Sequence, residues 1–255
     1  MIPKIIHYCW FGRGQMSDLE LYCLESWKRI LPDFQIKKWD EDSFDFEVYS
    51  FARDAYNLKK FAFVSDVCRL FALYQDGGIY LDTDMLVLRD LSPLLYDPFF
   101  IGEEKDGVIN AAIIGSEKGS EKVKSLLVGY QNISFDFDKP LDIPTYLALN
   151  LNRSKIKIYP KDFFYALPFK KRGENFFPFL TLNSFTVHLW NYSWRNEWSY
   201  LHEKEFRKSW TLFLKSIKIR GLLKKDFNFL MAFAKFWLVD RFPQLYGILK
   251  KNQDR

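Results

Sequence analysis

Asp82 and Asp84, in the run Gly77-Gly78-Ile79-Tyr80-Leu81-Asp82-Thr83-Asp84, offer two carboxylates separated by a single residue. Side chains two apart on an extended segment point to the same side, so both acids can face one cation. Oxygen ligands of this kind suit magnesium or manganese, which keep positions open for water and for the oxygens of a substrate diphosphate. A cation held there would neutralise charge building up on a departing nucleotide diphosphate. Paired acids also occur in solvated surface turns, but the apolar approach Gly-Gly-Ile-Tyr-Leu argues against one here. Upstream, Asp66 and Arg69 stand three apart on one helical face. They read either as an intrahelical salt bridge of small value or as a functional pair, with Asp66 accepting from sugar hydroxyls and Arg69 clamping phosphate or sugar oxygens.

These groups need a scaffold, and the hydrophobic pattern supplies an alternating α/β one. Lys4 to Trp10 is a short apolar, aromatic run closed by Phe11-Gly12-Arg13-Gly14, which predicts a buried first strand ending in a turn, with Trp10 at its exit able to face a ligand. Ser17 to Leu31 carries Leu21, Leu24, Trp27 and Leu31 at helical spacing and stops before Pro32; Phe34 to Trp39 predicts a second strand. Phe61 to Tyr74 predicts a helix, stopped by the glycine pair. Strands are expected at Ile79 to Leu81, Met85 to Leu88, Val108 to Gly115 and Ile156 to Pro160, and helices at Glu121 to Tyr130 and Pro144 to Leu151. Phe163 to Leu182, aromatic and carrying Pro168 and Pro178, reads as a long loop, which in a compact domain is often functional.

Composition sets the bounds. With 255 residues, 48% hydrophobic and 27% charged, the chain can bury a sizeable core. Cys9, Cys23 and Cys68 are odd in number and lack the paired spacing of a zinc site, so neither a disulfide framework nor structural zinc is indicated, and a reducing cytosol fits. The N-terminal run Met1 to His7 lacks the charged region, apolar stretch and cleavage site of a signal peptide. The net charge of +5 is unevenly spread: Glu203 to Arg255 has 13 Lys or Arg against 5 Asp or Glu, a balance of +8, whereas Met1 to His202 has 24 against 27, a balance of −3.

Taken in order, Ile2 to Gly12, Ser65-Asp66-Val67-Cys68-Arg69, Gly77 to Asp84 and Val187-His188-Leu189-Trp190-Asn191-Tyr192-Ser193-Trp194 resemble glycosyltransferase family 32. That family holds the Asp-X-Asp sugar-binding transferases of capsule and surface-polysaccharide synthesis, yeast-type mannosyltransferases and relatives among the glucosylating bacterial toxins. The resemblance implies an α/β fold of GT-A type, with a Rossmann-like nucleotide-sugar-binding domain. It also implies a nucleotide-diphosphate sugar donor, a manganese or magnesium ion, and hexosyl transfer with retention of anomeric configuration. Uridine is the base expected, being the commonest among similar enzymes. Carried over by position, Trp10 would stack on the base, and Ser65 and Tyr80 would line the nucleotide pocket. Asp66 and Arg69 would hold the donor sugar and diphosphate, Asp82 and Asp84 the ribose and metal, and Ser193 and Trp194 would close over the diphosphate. Asn110 would approach the donor sugar. In the toxin branch an acidic residue shortly before the C-terminal Trp helps hold the metal; His188, Asn191 and Tyr192 stand nearby here. His188 is either a substitute ligand, since imidazole accepts manganese, or a core histidine.

Beyond this, Phe206, Trp210, Phe213 and Ile217 recur at helical spacing among basic residues, predicting a basic amphipathic helix. Phe227 to Val239 follows, too short to cross a bilayer, which needs ~20 apolar residues. These expectations give a GT-A domain over 1–201 and a basic, aromatic helical tail over 202–255. The tail either lies on an anionic membrane surface or caps the catalytic domain. The expected protein is cytoplasmic, peripherally attached to the inner face of a bacterial cell membrane, and acts on a saccharide acceptor, a lipid-linked oligosaccharide in capsule or surface polysaccharide synthesis. A metal-dependent phosphohydrolase or nucleotidyltransferase also uses paired aspartates, but the Trp10 turn and the Ser193-Trp194 pair argue against it. A nucleic-acid-binding module is suggested by the tail alone. Because the positive charge lies outside the motifs and no Gly-rich or zinc-finger signature appears, no nucleic-acid partner is expected.

Overall fold

The computed structural model describes residues 1–136, 139–191, 200–201, 204–220 and 226–241. Its chain divides into two compact units, Met1–Asn191 and Tyr192–Arg255. The first opens as β1 (Ile5–Cys9), α1 (Asp18–Ile30), β2 (Gln35–Trp39), α2 (Ser50–Asn57), α3 (Phe61–Asp76) and β3 (Gly78–Leu81). Helical crossovers of this length let consecutive strands run parallel, and β1 lies between β2 and β3, parallel to both. Ile6 and His7 of β1 are fully buried, as expected for a strand covered on both faces.

After β4 (Met85–Val87), β5 (Phe99–Lys105) and β6 (Val108–Ser116) form an antiparallel pair. Then α4 (Glu121–Gly129), α5 (Ile143–Asn150), β7 (Lys157–Tyr159) and the short α6 (Lys161–Phe164) lead to β8 (Thr186–His188). The main sheet has the order β2-β1-β3-β6-β5-β7, and β4 pairs with β8 in a separate two-stranded sheet. Strand β6 is antiparallel to β3, so the parallel half ends at β3, whose C-terminal edge is where open α/β sheets place ligands. The aromatic segment after α6 is irregular apart from a bridge at Tyr165 and short 3₁₀ turns at Phe169–Lys171 and Phe177–Phe179. Strands β5 and β8 and helices α2 and α6 are additions to what the sequence pattern predicts.

The core lies between the helices and the sheet: Phe51 of α2, Val67 and Leu70 of α3, Leu126 of α4 and Leu147 of α5 meet Ile101 and Ile114 of the sheet. Helix α1 packs instead on the small sheet, where the Trp27 indole donates to Met85 O at 2.7 Å and the Ser26 hydroxyl accepts from Val87 N at 3.0 Å. Helix α3 ends at Gly77, φ 67°, followed by Gly78 at φ 114°. A Cβ on Gly78 would lie 2.6 Å from Ile5 O, so the close approach of β1 to β3 requires glycine there.

In the second unit, α7 (Phe206–Arg220) and α8 (Asp226–Arg241) form an antiparallel hairpin. Phe213 stacks on Phe229 with ring centroids 4.4 Å apart, Trp210 meets Phe233 at 5.0 Å, and Lys204 pairs with Asp240 at 2.9 Å. No helix among the described residues is long and apolar enough to cross a membrane.

Candidate active site

The acidic pair sits where β3 ends, but the reason its carboxylates converge differs from the expectation. Asp82, Thr83 and Asp84 form a turn, with Met85 N donating to Asp82 O at 3.0 Å, while Asp82 N donates to Ala112 O of β6 at 2.8 Å. Strand alternation therefore does not apply. The turn reverses the chain into β4, and the pairing of β4 with β8 brings His188 opposite Met85. Asp82, Asp84 and His188 each offer a ligand atom within 4.8 Å of the others. Two hard carboxylate oxygens and one imidazole nitrogen form a donor set that manganese accepts and magnesium tolerates, so the residues fit a divalent cation.

Asp84 is buried, and its carboxylate receives His188 Nε2 at 3.1 Å on each oxygen and the Asn191 N–H at 2.6 Å on Oδ2. Burial alone would raise this acid, but the His188 imidazole and the Asn191 N–H hold it below the usual carboxylate range. Reciprocally, burial works to lower His188, and Asp84 overcomes it and raises the imidazole. The His188 ring lies 4.0 Å from that of Trp190, and its Nδ1 is buried without a hydrogen-bond partner. His188 thus directs Nε2 at the Asp84 carboxylate, close to Asp82.

Asp82 is more open. Its Oδ1 accepts from the Tyr80 hydroxyl at 2.8 Å and faces Arg69 Nη1 at 3.3 Å. Arg69 is buried beneath it and spends its donors inside the protein: Nε on Ser65 O at 3.3 Å, Nη1 on Ala111 O at 2.8 Å and Nη2 on Asp66 Oδ1 at 2.8 Å. Its guanidinium also covers the Tyr80 ring at 4.4 Å. The pair with Asp66 is thus a buried ion pair and not the exposed helical bridge of small value. Arg69 places a fixed positive charge under the site and orients Asp82. Burial pushes the Asp66 carboxyl up to about 7, with Asp82 and Asp142 adding to the rise against the pull of Arg69.

The remaining residues expected at the site are distributed as follows. His7 registers with Tyr80, so the exits of β1 and β3, carrying Trp10 and Asp82, open at the same edge of the sheet. Trp10 is half-buried, and its indole donates to Gly14 O at 2.7 Å, bracing the turn that follows. Ser65 returns its hydroxyl to Phe61 O at 3.1 Å within α3. Asn110 lies beside Ala111, the Arg69 acceptor; its amide donates to Glu104 and its carbonyl accepts from Ala112 N, both at 2.8 Å. Ser193 and Trp194 lie outside the described residues. Sequence reasoning gave no role to Tyr165, whose hydroxyl donates to Asn110 O at 3.1 Å and accepts from Ile113 N at 3.2 Å, nor to Asn191 and Glu20. Asn191 was visible only as a member of its motif, and Glu20 only as the acid three positions after Ser17.

The sheet thus turns antiparallel after β3, with the Asp-X-Asp turn at that point and the buried Arg69–Asp66 pair beneath it. Residues 17–101 match the family described as "Glycosyltransferase sugar-binding region containing DXD motif". Inositol phosphoceramide mannosyltransferase 3 of Schizosaccharomyces pombe is 28% identical over 143 residues, 54% of this chain and 40% of that protein, so the chain spans well under half the length of this relative. The stretch matched to the family includes Asp66, Arg69, Asp82 and Asp84. Among solved structures, the galactosyltransferase LgtC in complex with donor and acceptor sugar analogs superposes with a TM-score of 0.41 at 14% identity, over 82% of this chain and 96% of that one. The glycosyltransferase GlyE of Streptococcus pneumoniae TIGR4 gives a TM-score of 0.41 at 14% identity, over 64% and 46%.

Proposed function

We propose that this chain is a glycosyltransferase that moves a hexose from a nucleotide-diphosphate donor, with uridine as the base, to a saccharide acceptor, using a divalent cation held by Asp84, Asp82 and His188. The observation that carries the reading is the convergence of those three donors within 4.8 Å, at the edge where Trp10 also emerges. When bound, the cation supplies positive charge against the departing diphosphate. Arg69 adds a charge from below and keeps Asp82 oriented, and Asp66 offers a buried carboxyl for sugar hydroxyls. The bond from the anomeric carbon to the diphosphate oxygen breaks, a bond to the acceptor oxygen forms, and the acceptor's proton passes to the departing diphosphate. Retention by such front-face attack is preferred to a covalent glycosyl-enzyme. Asp142, an acid near Asp66, is occupied as the N-cap of α5, accepting from Thr145 N at 2.8 Å.

The acceptor in this reading is a lipid-linked oligosaccharide of capsule or surface polysaccharide synthesis, met at the inner face of a bacterial membrane to which the basic tail attaches. The test is a screen of nucleotide sugars with the full chain, with and without manganese, reading released nucleoside diphosphate and sugar transferred to acceptor. Manganese-dependent release from one uridine donor is expected. Phosphate release from simple esters, with every nucleotide sugar left intact, would replace this reading with that of a phosphohydrolase.

A further inference from the structure

Glu20 is an acid in the first turn of α1, where such a side chain ordinarily reaches water, yet it is 4% exposed. Its two oxygens are divided. Oε2 accepts from Ser17 N at 2.7 Å and from the Ser17 hydroxyl, which closes the start of the helix. Oε1 accepts from the Asn191 side-chain amide, 171 positions away. Asn191 in turn sends its backbone N–H 2.6 Å to Asp84 Oδ2. That N–H reaches Asp84 because Trp190, just before it, stands at φ 59°, a left-handed conformation that a bulky residue keeps only when its surroundings hold it there. The buried Cys23 thiol is pushed up by burial and by both Asp84 and Glu20, so the two carboxylates share one neighbourhood. Glu20 does not belong to the group whose ligand atoms converge.

We propose that Glu20 is a positioning residue of the cation site: through the Asn191 amide it holds the Asn191 N–H against Asp84, and so sets which way the Asp84 carboxylate faces. The inference rests on Asp84 being a metal ligand. Charged and polar groups one step behind a metal ligand fix its orientation, and removing one lowers metal affinity by about 10- to 100-fold. Glu20 also has a plain structural task, the Ser17 cap, and the two roles separate by mutation. Ser17→Ala weakens the cap and leaves the Asn191 contact; Asn191→Ala does the reverse.

The experiment is manganese titration of the 255-residue chain by calorimetry, with thermal melts alongside. Glu20→Ala and Asn191→Ala should each weaken manganese binding by about 10-fold or more, and the double variant should be no weaker than either, because both cut the same chain of contacts. Glu20→Gln keeps an acceptor oxygen for the Asn191 amide and should restore most of the affinity. Ser17→Ala should lower the melting temperature without changing manganese affinity. Wild-type affinity in Glu20→Ala, a loss in Ser17→Ala equal to that in Glu20→Ala, or additive losses in the double variant would each overturn the proposal while leaving the metal site standing. A parent protein that takes up no manganese would overturn the metal reading and this inference together.

Discussion

Asp84 is asked to do two things at once: to anchor the start of the β8 exit through Asn191 and His188, and to present a charged oxygen to a cation. Asp84→Asn separates them. The amide oxygen can still accept from Asn191, so the variant should fold, with a lower melting temperature because the buried His188 loses its anionic partner. Manganese-dependent turnover of the donor should fall by more than the roughly 10- to 100-fold expected for an outer contact, measured as released nucleoside diphosphate across a manganese series. A variant as active as the parent would remove Asp84 from the site. Asp82 with Asp84 and Asp66 with Arg69 were legible from local spacing, whereas His188 was named only through the family resemblance. Even for the first pair the stated reason, strand alternation, was replaced by a turn. His188 meets Asp84 across 104 positions, and Asn191 meets Glu20 across 171. Local spacing carries no information about such contacts, which are set by the pairing of β4 with β8 and by the packing of α1 against it.

His7 shows how the elements are tied together so that the edge of the sheet stays in place. The Trp39 indole of β2 donates to His7 Nδ1 at 3.0 Å, which leaves Nε2 as the nitrogen bearing hydrogen, and that N–H donates to Gly77 O at 2.7 Å. One neutral imidazole thus links β2, β1 and the end of α3, a turn before the strand that delivers Asp82. Burial lowers its pKa below the ordinary 6.5, against the raising effects of Gly77 and Asp76. A histidine with a depressed folded pKa takes up a proton on unfolding, so its contribution to stability is present above 6.5 and is lost as pH falls below that value. Urea melts between pH 7.5 and 5 should therefore show the parent losing stability relative to His7→Gln, with a difference in slope of at most about 1.4 kcal/mol per pH unit. Parallel pH profiles for the two proteins would show that His7 does not titrate on unfolding. The strands and helices on either side of His7 were legible because each carries a clean period or a glycine stop. Helix α2 was not, since eight residues show barely two turns of any pattern. Strand β5 was not either: its ladder with β6 is broken by register shifts at Ile101/Gly102 and Glu103/Lys105, and its second half is acidic.

The tail poses the question of what its apolar surface is for. Along α8, Phe229 and Phe233 face α7 in the hairpin, while Phe227, Met231 and Leu238 form a second, exposed row with Ala234 at i, i+4, i+7 and i+11. A helix apolar on opposite sides has use for a second apolar neighbour. The charge balance of +8 over Glu203 to Arg255, against −3 for the rest, matches an anionic lipid surface. Apolar burial would supply about 25 cal/mol per Å² removed from water, and each basic residue near the surface about 1 kcal/mol, declining as salt screens it. The 255-residue chain should co-sediment with vesicles containing acidic lipid, much less with neutral ones, and less as salt is raised. Met231→Glu combined with Leu238→Glu should weaken that binding without disturbing the Phe213–Phe229 side of the hairpin. Deleting Glu203 to Arg255 should abolish it while transfer to a short soluble acceptor persists. Equal partitioning of the parent, the double variant and the truncated protein would assign the exposed row to packing within the protein and not to lipid.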